Sequence, residues 1–410
     1  MADFHQGGHV ATLHNLRVHQ PEALVSELEA FAASRKITLI LPSLFSELEG
    51  EALPDIIDEL NKVNFIHRIV IGLDRANEEQ YRYALKFFSK LKADHVVLWN
   101  DGPRLSAVDE KLQNLKLSPS EPGKGRNVWF CMGYTIAQAD SAVVAVHDCD
   151  VLTYSADMLA RLVYPVTNPR FPYQMSKGFY PRVADGKLNG RVSRLLVTPI
   201  LSAMAKVLGP REYLDFISDF RYPLAGEFAM RTSILPDMRI PSDWGLEIGL
   251  LSEAWRNLSP RSVCQVEISD RYDHKHQVLS EEDASQGLSR MSVDICKALY
   301  RKLAADGTVF SEEIFRSIKA TYFRDALDLI ETYFNDAQMN GLHVDRHVEE
   351  KTVELFASNI MHAGQVFLDN PMETPFIPNW SRVHAADPDI TTSMLDAVAQ
   401  DMKEYGPEKA

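Results

Sequence analysis

The chain has 410 residues, 45% hydrophobic and 24% charged, with 20 Gly and 21 Pro, which excludes wholesale disorder, collagen and low-complexity repeats. At about 100–200 residues per domain, two or three packing units fit this length. With 57 acidic against 43 basic residues the formal net charge is −14, which argues against a nucleic-acid or general polyanion binder and leaves room for a local basic pocket. Lys36–Leu41 (KITLIL) reads as a strand that ends at Pro42, followed by a loop and a helix over 44–63. Arg68–Leu73 (RIVIGL) predicts a second strand, Glu78–Leu91 a helix and His95–Trp99 a third strand. Gly125–Ala139 predicts a helix, and Ser141–Val146 a fourth strand that runs into His147-Asp148-Cys149-Asp150. Strands alternating with helices predict a parallel sheet covered on both faces. Such sheets bind ligands at the carboxyl ends of their strands. That places Pro42–Glu47, Asp74, Asn100–Asp101 and Asp148–Asp150 on one rim.

From Asn168 onward Pro, Gly and aromatic residues become frequent. An extended run at Tyr173–Tyr180 precedes helices over Arg191–Leu208, Arg211–Ile217 and Leu246–Leu258. From Leu288 to about Phe367 the pattern is almost wholly helical. This part is expected to pack on the sheet, cover a pocket or build a dimer interface. The tail beyond Asp387 is acidic and expected to be partly mobile. No run of about 18 apolar residues offers a membrane span. The start, MADFHQGGHVATLHNL, lacks the basic region and apolar stretch of a signal peptide. Cys131, Cys149, Cys264 and Cys296 form no CxxC pair and read as reduced, buried thiols. A cytoplasmic protein without a membrane partner is expected.

Six short stretches could carry chemistry. Asp148-x-Asp150 directly follows an apolar strand, and two such carboxylates can approach one divalent cation; Mg²⁺ or Mn²⁺ prefers oxygen ligands and also takes phosphate oxygens. A solvated acidic turn is the plainer alternative. Gly123-Lys124-Gly125-Arg126 heads a helix, where glycines let backbone approach a ligand and the helix start and Lys124 favour an anion. A basic surface turn fits the same residues. Gly190-Arg191-Val192-Ser193-Arg194, following Lys177 and Arg182, suits a small phosphorylated, carboxylated acceptor; solvated arginines at a helix start are the alternative. Pro223-Leu224-Ala225-Gly226-Glu227 and Asp243-Trp244-Gly245-Leu246-Glu247-Ile248-Gly249 fit a sugar-lined pocket, or tight turns with helix-capping acids. In Arg271-Tyr272-Asp273-His274-Lys275-His276, His274 offers to complete a metal site begun by Asp150 and Lys275 to hold phosphate, against a merely solvated loop. His5, His9, His14 and His19 have no metal spacing, and neither a P-loop, a GxGxxG after the first strand nor a G-x-S-x-G elbow occurs.

Taken in order, these pieces resemble the GT-A type nucleotide-sugar glycosyltransferases, and within them glycosyltransferase family 81, the glucosyl-3-phosphoglycerate synthases. The resemblance is carried by the strand into LPSLFSELEG, by GKG and HDCD, and by KGFYPR…GRVSRLLVTPIL, PLAGEFAMR, WGLEIGLLSE and RYDHKH, over roughly residues 36–280. TLHNL and the long helical tail match the longer branch of that family. The resemblance implies an α/β fold: a GT-A type Rossmann-like mixed sheet flanked by helices, with a helical C-terminal subdomain. Residues 1–35 would form an N-terminal helical or extended segment. Residues 36–285 would form the glycosyltransferase domain, with a donor half over 36–150 and an acceptor half over 151–285. Residues 286–410 would be the helical region with its acidic tail.

The implied reaction is retaining transfer of glucose from an NDP-glucose, UDP-glucose first, to 3-phosphoglycerate. The product, glucosyl-3-phosphoglycerate, is the precursor of the compatible solute glucosylglycerate. A divalent cation is implied, Mg²⁺ with Mn²⁺ or another as alternatives. The donor nucleotide would lie along Pro42, Ser43, Leu44 and Glu47, with Asp74 near the base or ribose. Lys124 and Lys275 would sit near the diphosphate, and Asp148 near the ribose or sugar. Asp150 and His274 would ligate the metal, Gly190, Arg191 and Ser193 would hold the acceptor, and Glu247 and Glu227 would face the glucose hydroxyls. Asp150, Glu247 and Arg191 are the expected catalytic residues. PSLFSELE departs from the commoner PxxNE form and Asp74-Arg75 from DDGS or DSGS. One extra residue before His274 leaves both His274 and His276 open as the ligand. With no evident nucleophile for the far sugar face, front-side attack is expected, the departing diphosphate helping to take the acceptor proton. The rivals are a transferase using GDP-mannose or glycerate, and a non-catalytic sugar-nucleotide binder. A nucleotidyltransferase would need a Gly-rich basic loop that PSLFSELE does not supply. A homodimer is expected.

Overall fold

Strands that are apolar at odd and even positions alike must be covered on both faces. The computed structural model, which describes residues 6, 8–16, 21–119, 122–273, 287–371 and 378–406, shows that cover. β1 (Ala11–Leu13) and α1 (Pro21–Ala32) lead into β2 (Ile37–Leu44), α2 (Ala52–Leu60), β3 (Ile66–Asp74) and α3 (Glu78–Phe88). β4 (Asp94–Trp99), α4 (Pro103–Asn114), α5 (Lys124–Gln138), β5 (Val143–Val146) and α6 (Ala156–Thr167) complete the first half. Then come β6 (Met175–Phe179), a small hairpin of β7 (Val183–Ala184) and β8 (Lys187–Leu188), and a π-helical turn, Val192–Val197, that runs into α7 (Thr198–Leu208). α8 (Glu212–Ser218), β9 (Phe228–Arg231), α9 (Leu246–Asn257) and β10 (Val263–Glu267) follow. The rest is helical: α10 (Gly287–Ala305), α11 (Glu312–Met339), α12 (Arg346–Asp369), α13 (Trp380–Ala386) and α14 (Ile390–Tyr405).

The eight-stranded sheet has the order β1-β10-β6-β9-β5-β2-β3-β4. All neighbours are parallel except β9, which runs antiparallel to both β5 and β6. The sheet is therefore mixed. Side chains alternate across it: Ile40, Val70, Leu98, Val144 and Val146 enter a core shared with α5, α7 and α9 to α12. Leu39, Leu41, Ile69, Ile71, Val97, Val143 and Ala145 enter a second core with α2, α3 and α6. The expected strand end at Pro42 is not seen. Pairing of β2 with β5 stops at Ile40, so beyond it β2 has only β3 beside it, and a residue without an N–H costs no ladder bond on the open side.

The N-terminal residues join the sheet, since β1 pairs with β10. The described part of the tail beyond Asp387, up to residue 406, is not loose. α14 packs on α4, α5 and β4 with Met394 and Val398 buried, and Arg104 of α4 bonds both Asp401 and Glu404. Trp380 stacks on Trp129 of α5 with ring centroids 4.2 Å apart. No helix among the described residues is long and apolar enough to cross a membrane.

Candidate active site

The antiparallel strand of the eight-stranded sheet, β9, builds the site. Pairing Val146 of β5 with Phe228 of β9 sets the residues just past one strand against those just before the other. Asp148 thus faces Gly226, where a Cβ would fall 2.4 Å from Asp148 Oδ2 and 2.8 Å from Lys124 Nζ. Only glycine leaves room for the ion pair. Lys124 Nζ stands 2.6 Å from Asp148 Oδ1 and 3.2 Å from Glu247 Oε1. Burial pulls the Lys124 ammonium down, but Asp148 and Glu247 outweigh it and hold it well above the usual lysine range. Lys124 opens α5 and Glu247 lies in the first turn of α9. The glycines of Gly123-Lys124-Gly125 join these two helix starts. A Cβ on Gly125 would meet Pro241 O at 1.9 Å, and one on Gly123 would meet Ser242 O at 2.4 Å. The close backbone approach expected toward a ligand is made to the chain's own loop before α9. Gly226→Ala should push Lys124 and Asp148 apart and lower turnover about 10²-fold with the circular dichroism unchanged; wild-type kinetics would contradict this geometry.

Glu227 lies beneath this trio and is fully buried. It accepts hydrogen bonds from Tyr180 at 2.7 Å and Tyr272 at 2.5 Å, whose rings stack with centroids 3.7 Å apart. Burial, then Asp148, push its carboxyl up, against the two tyrosine hydroxyls. The buried Lys177 donates to Ala225 O, and burial pulls its ammonium down to about 8 against the attraction of Glu247 and Glu227. Glu227 and Lys177 shape the Ala225–Gly226 turn from below.

A cavity of about 370 Å³ opens beside the trio. Lys124, Asp148 and Glu247 line one part of it, and Arg182, Lys187, Gly190 and Arg191 another. Trp244 and the α10 residues Leu288, Met291 and Ile295 form apolar wall. Gly190 sits in the left-handed region, φ 77°, which favours glycine. Ser193 is buried behind this lining, and its Oγ has no hydrogen-bond partner among the described residues. Arg194, grouped by sequence with the anion-binding residues, is turned away into a buried pair with Glu349.

The remaining expected residues lie along the rim. Pro42, Ser43, Leu44 and Glu47 stand at the end of β2 and Asp74 at the end of β3, outside the cavity's lining. Asn100 Nδ2 donates to Asp74 Oδ1 at 2.7 Å, and burial raises the Asp74 carboxyl. Burial, then Asp148 and Glu47, push the Asp150 carboxyl up to about 7. His147 is fully buried edge-on to Tyr154, with burial holding its imidazole down to about 3, so it is a neutral packing residue. His274, Lys275 and His276 lie outside the described residues. Among the described residues no three His, Cys, Asp or Glu side chains gather as a metal cluster.

Lys187 and the α10 wall were not singled out by sequence, and Arg182 and Trp244 entered only as members of the acceptor and sugar-pocket stretches. The two basic residues flank the turn at Gly186, which was a usable signal. The α10 residues look like any core stripe.

No family model matches the chain. The glucosyl-3-phosphoglycerate synthase of Persephonella marina is 42% identical over 401 residues, 98% of this chain and 99% of the relative. That of Methanococcoides burtonii is 37% identical over 413 residues, 99% of this chain and all of the relative. A crystal structure of the Mycobacterium tuberculosis synthase with Mn²⁺, UDP-glucose and phosphoglyceric acid aligns with a TM-score of 0.52 at 23% identity. It covers 72% of this chain and 88% of that one, and shows the shared GT-A fold. With 42% and 37% identity to two relatives of that name over nearly its full length, the chain belongs to the glucosyl-3-phosphoglycerate synthase family and is a glycosyltransferase.

Proposed function

We propose that the chain transfers glucose, with retention, from UDP-glucose to 3-phosphoglycerate. The observation that carries this is a single cavity lined both by the Lys124–Asp148–Glu247 trio and by the basic group of Arg182, Lys187 and Arg191. Its volume suits a small ligand. The relatives' names and the Mn²⁺, UDP-glucose and phosphoglyceric acid held by the mycobacterial structure agree with this reading. In it, Pro42, Ser43, Leu44, Glu47 and Asp74 take the nucleotide, and Lys124 faces the diphosphate. Gly190 and Arg191, with Ser193 behind them, position the acceptor. Glu247, already paired with Lys124, suits a fixed bond to a glucose hydroxyl better than proton uptake. The attack comes from the leaving-group face, with the departing diphosphate taking the acceptor proton.

A divalent cation fits the residues present. Asp150 titrates high because burial, then the negative charge of Asp148 and Glu47, disfavour its ionised form, and a hard cation such as Mg²⁺ or Mn²⁺ would neutralise that gathered charge. Asp150 would hold it, joined by His274. When bound, the cation neutralises charge on the leaving diphosphate. The same proposal includes residues 36–285 as the catalytic unit, its cavity completed by the α10 wall, a homodimer, and glucosylglycerate formation in the cytoplasm. The four buried free cysteines suit a reducing compartment.

Nucleotide release from UDP-glucose with Mg²⁺ should require 3-phosphoglycerate. Glycerate should work at least about 10²-fold less well, because the basic residues lose the phosphate they are built for. Turnover only with glycerate or GDP-mannose would overturn the reading. Arg191→Ala should raise KM for phosphoglycerate about tenfold or more while leaving KM for UDP-glucose near wild type. Equal effects on both would remove Arg191 from the acceptor site.

A further inference from the structure

One helical turn beyond the cavity residue Arg191, the guanidinium of Arg194 is buried at 8% exposure, and its partner Glu349, on α12, at 4%. Nη1 donates to Glu349 Oε2 at 3.2 Å and Nη2 to Oε1 at 2.5 Å. Its other donor capacity goes to the chain just before it: Nε to Asn189 O at 2.9 Å and Nη2 to Leu188 O at 3.3 Å. Tyr333 of α11 lies 4.8 Å beneath the guanidinium. At the other end of this segment His343, in the turn between α11 and α12, donates its backbone N–H to Gly186 O at 2.7 Å, and residues 187 and 343 form a β-bridge. Residues 186–194, which carry Lys187, Gly190 and Arg191, are thus held at both ends by one helical hairpin. The segment itself is polar and half-exposed, with little apolar burial of its own before Val192. Arg194 and Glu349 do not line the cavity.

A buried ion pair is a poor way to gain stability, since two apolar residues of similar volume often do as well or better. An apolar pair could not bond the carbonyls of residues 188 and 189. We propose that the α11–α12 hairpin is the positioning frame of the acceptor site, in which Arg194 and Glu349 hold the basic segment in the shape that binds the acceptor's anionic groups. This rests on the functional reading above. It gives the C-terminal helices a direct part in acceptor affinity.

The test uses the full chain. Glu349→Gln weakens the pair while keeping its size. The double variant Arg194→Met/Glu349→Leu removes both buried charges together and so is expected to fold, yet still strips the donors from carbonyls 188 and 189. In each variant KM for 3-phosphoglycerate should rise about tenfold, with KM for UDP-glucose within twofold of wild type. In the ligand-free protein, hydrogen exchange should quicken over residues 186–194 and stay unchanged in β2, β3 and β9. A merely structural role would lower stability or kcat without this split. An unchanged phosphoglycerate KM in the folded double variant, or both constants rising together, would overturn the proposal. Should the wild type itself fail to turn over this substrate pair, the functional reading falls, and the exchange data alone judge the frame: retained protection over 186–194 refutes it, lost protection sustains it.

Discussion

Lys124→Met should lower kcat/KM with UDP-glucose about 10³-fold and reduce the thermal midpoint as well. Lys124 is the cation between Asp148 and Glu247, and the buried Glu227 feels it too. Methionine nearly fills the space but leaves three carboxyl groups facing one another where an anionic diphosphate has to dock. Two costs follow from one change: the acids repel each other in the free protein, and the donor meets a negative wall. Lys124→Arg keeps the charge, but a planar guanidinium cannot reproduce the compact ammonium set between Asp148 and Glu247, so it should recover only part of the activity. Steady-state kinetics with thermal unfolding would check both, and an effect under tenfold for Lys124→Met would remove this residue from the centre of the site.

Asp150→Asn should abolish cation-dependent turnover, a fall of about 10³-fold or more. The pH behaviour gives an independent measure. With its carboxyl pushed up to about 7, Asp150 binds a proton more tightly in the folded chain than in the unfolded one. This group therefore takes stability away as pH rises from the ordinary carboxyl range through about 7, in the absence of a cation. Asp150→Asn should remove that decline. Proton and cation compete for the same oxygens, so cation affinity should weaken as pH falls below about 7, and binding should release protons near neutrality. Calorimetry in two buffers of different ionisation heat would show the release. Its absence in the wild type would place the cation elsewhere.

The parallel strands β2 to β5 and their helices are legible in sequence because each strand is built around a short apolar run, and their shared rim follows from their direction. β9 is not. Its four residues follow a Pro-Leu-Ala-Gly turn, and nothing local says that they insert backwards between β5 and β6. Lys177 and Glu227 read in sequence as charges beside the acceptor stretch and toward the glucose hydroxyls, and nothing local signals their burial. Here both are fully buried, their charges met by a carbonyl oxygen and by two tyrosine hydroxyls. Lys124, Asp148, Glu247 and Arg191 were readable as chemistry from their types and motifs, and the fold brings all four to one cavity. Arg194 was readable only as charge. Its partner lies 155 residues further along, a distance that no local pattern spans.

The first and last described elements, β1 and α14, are fastened to opposite edges of the sheet. β1 can pair only once β10 exists, about 250 residues of synthesis later, and α14, made later still, closes over β4. Until then β10 and β4 each present an uncovered flank, the kind of surface on which nascent chains join one another. Both flanks are therefore covered only by segments remote in the chain, β1 made long before β10 and α14 long after β4. A chain cut after residue 386 would keep every described residue of the cavity and still lack its closing helix. Its failure would show in soluble yield long before it could show as a slower reaction.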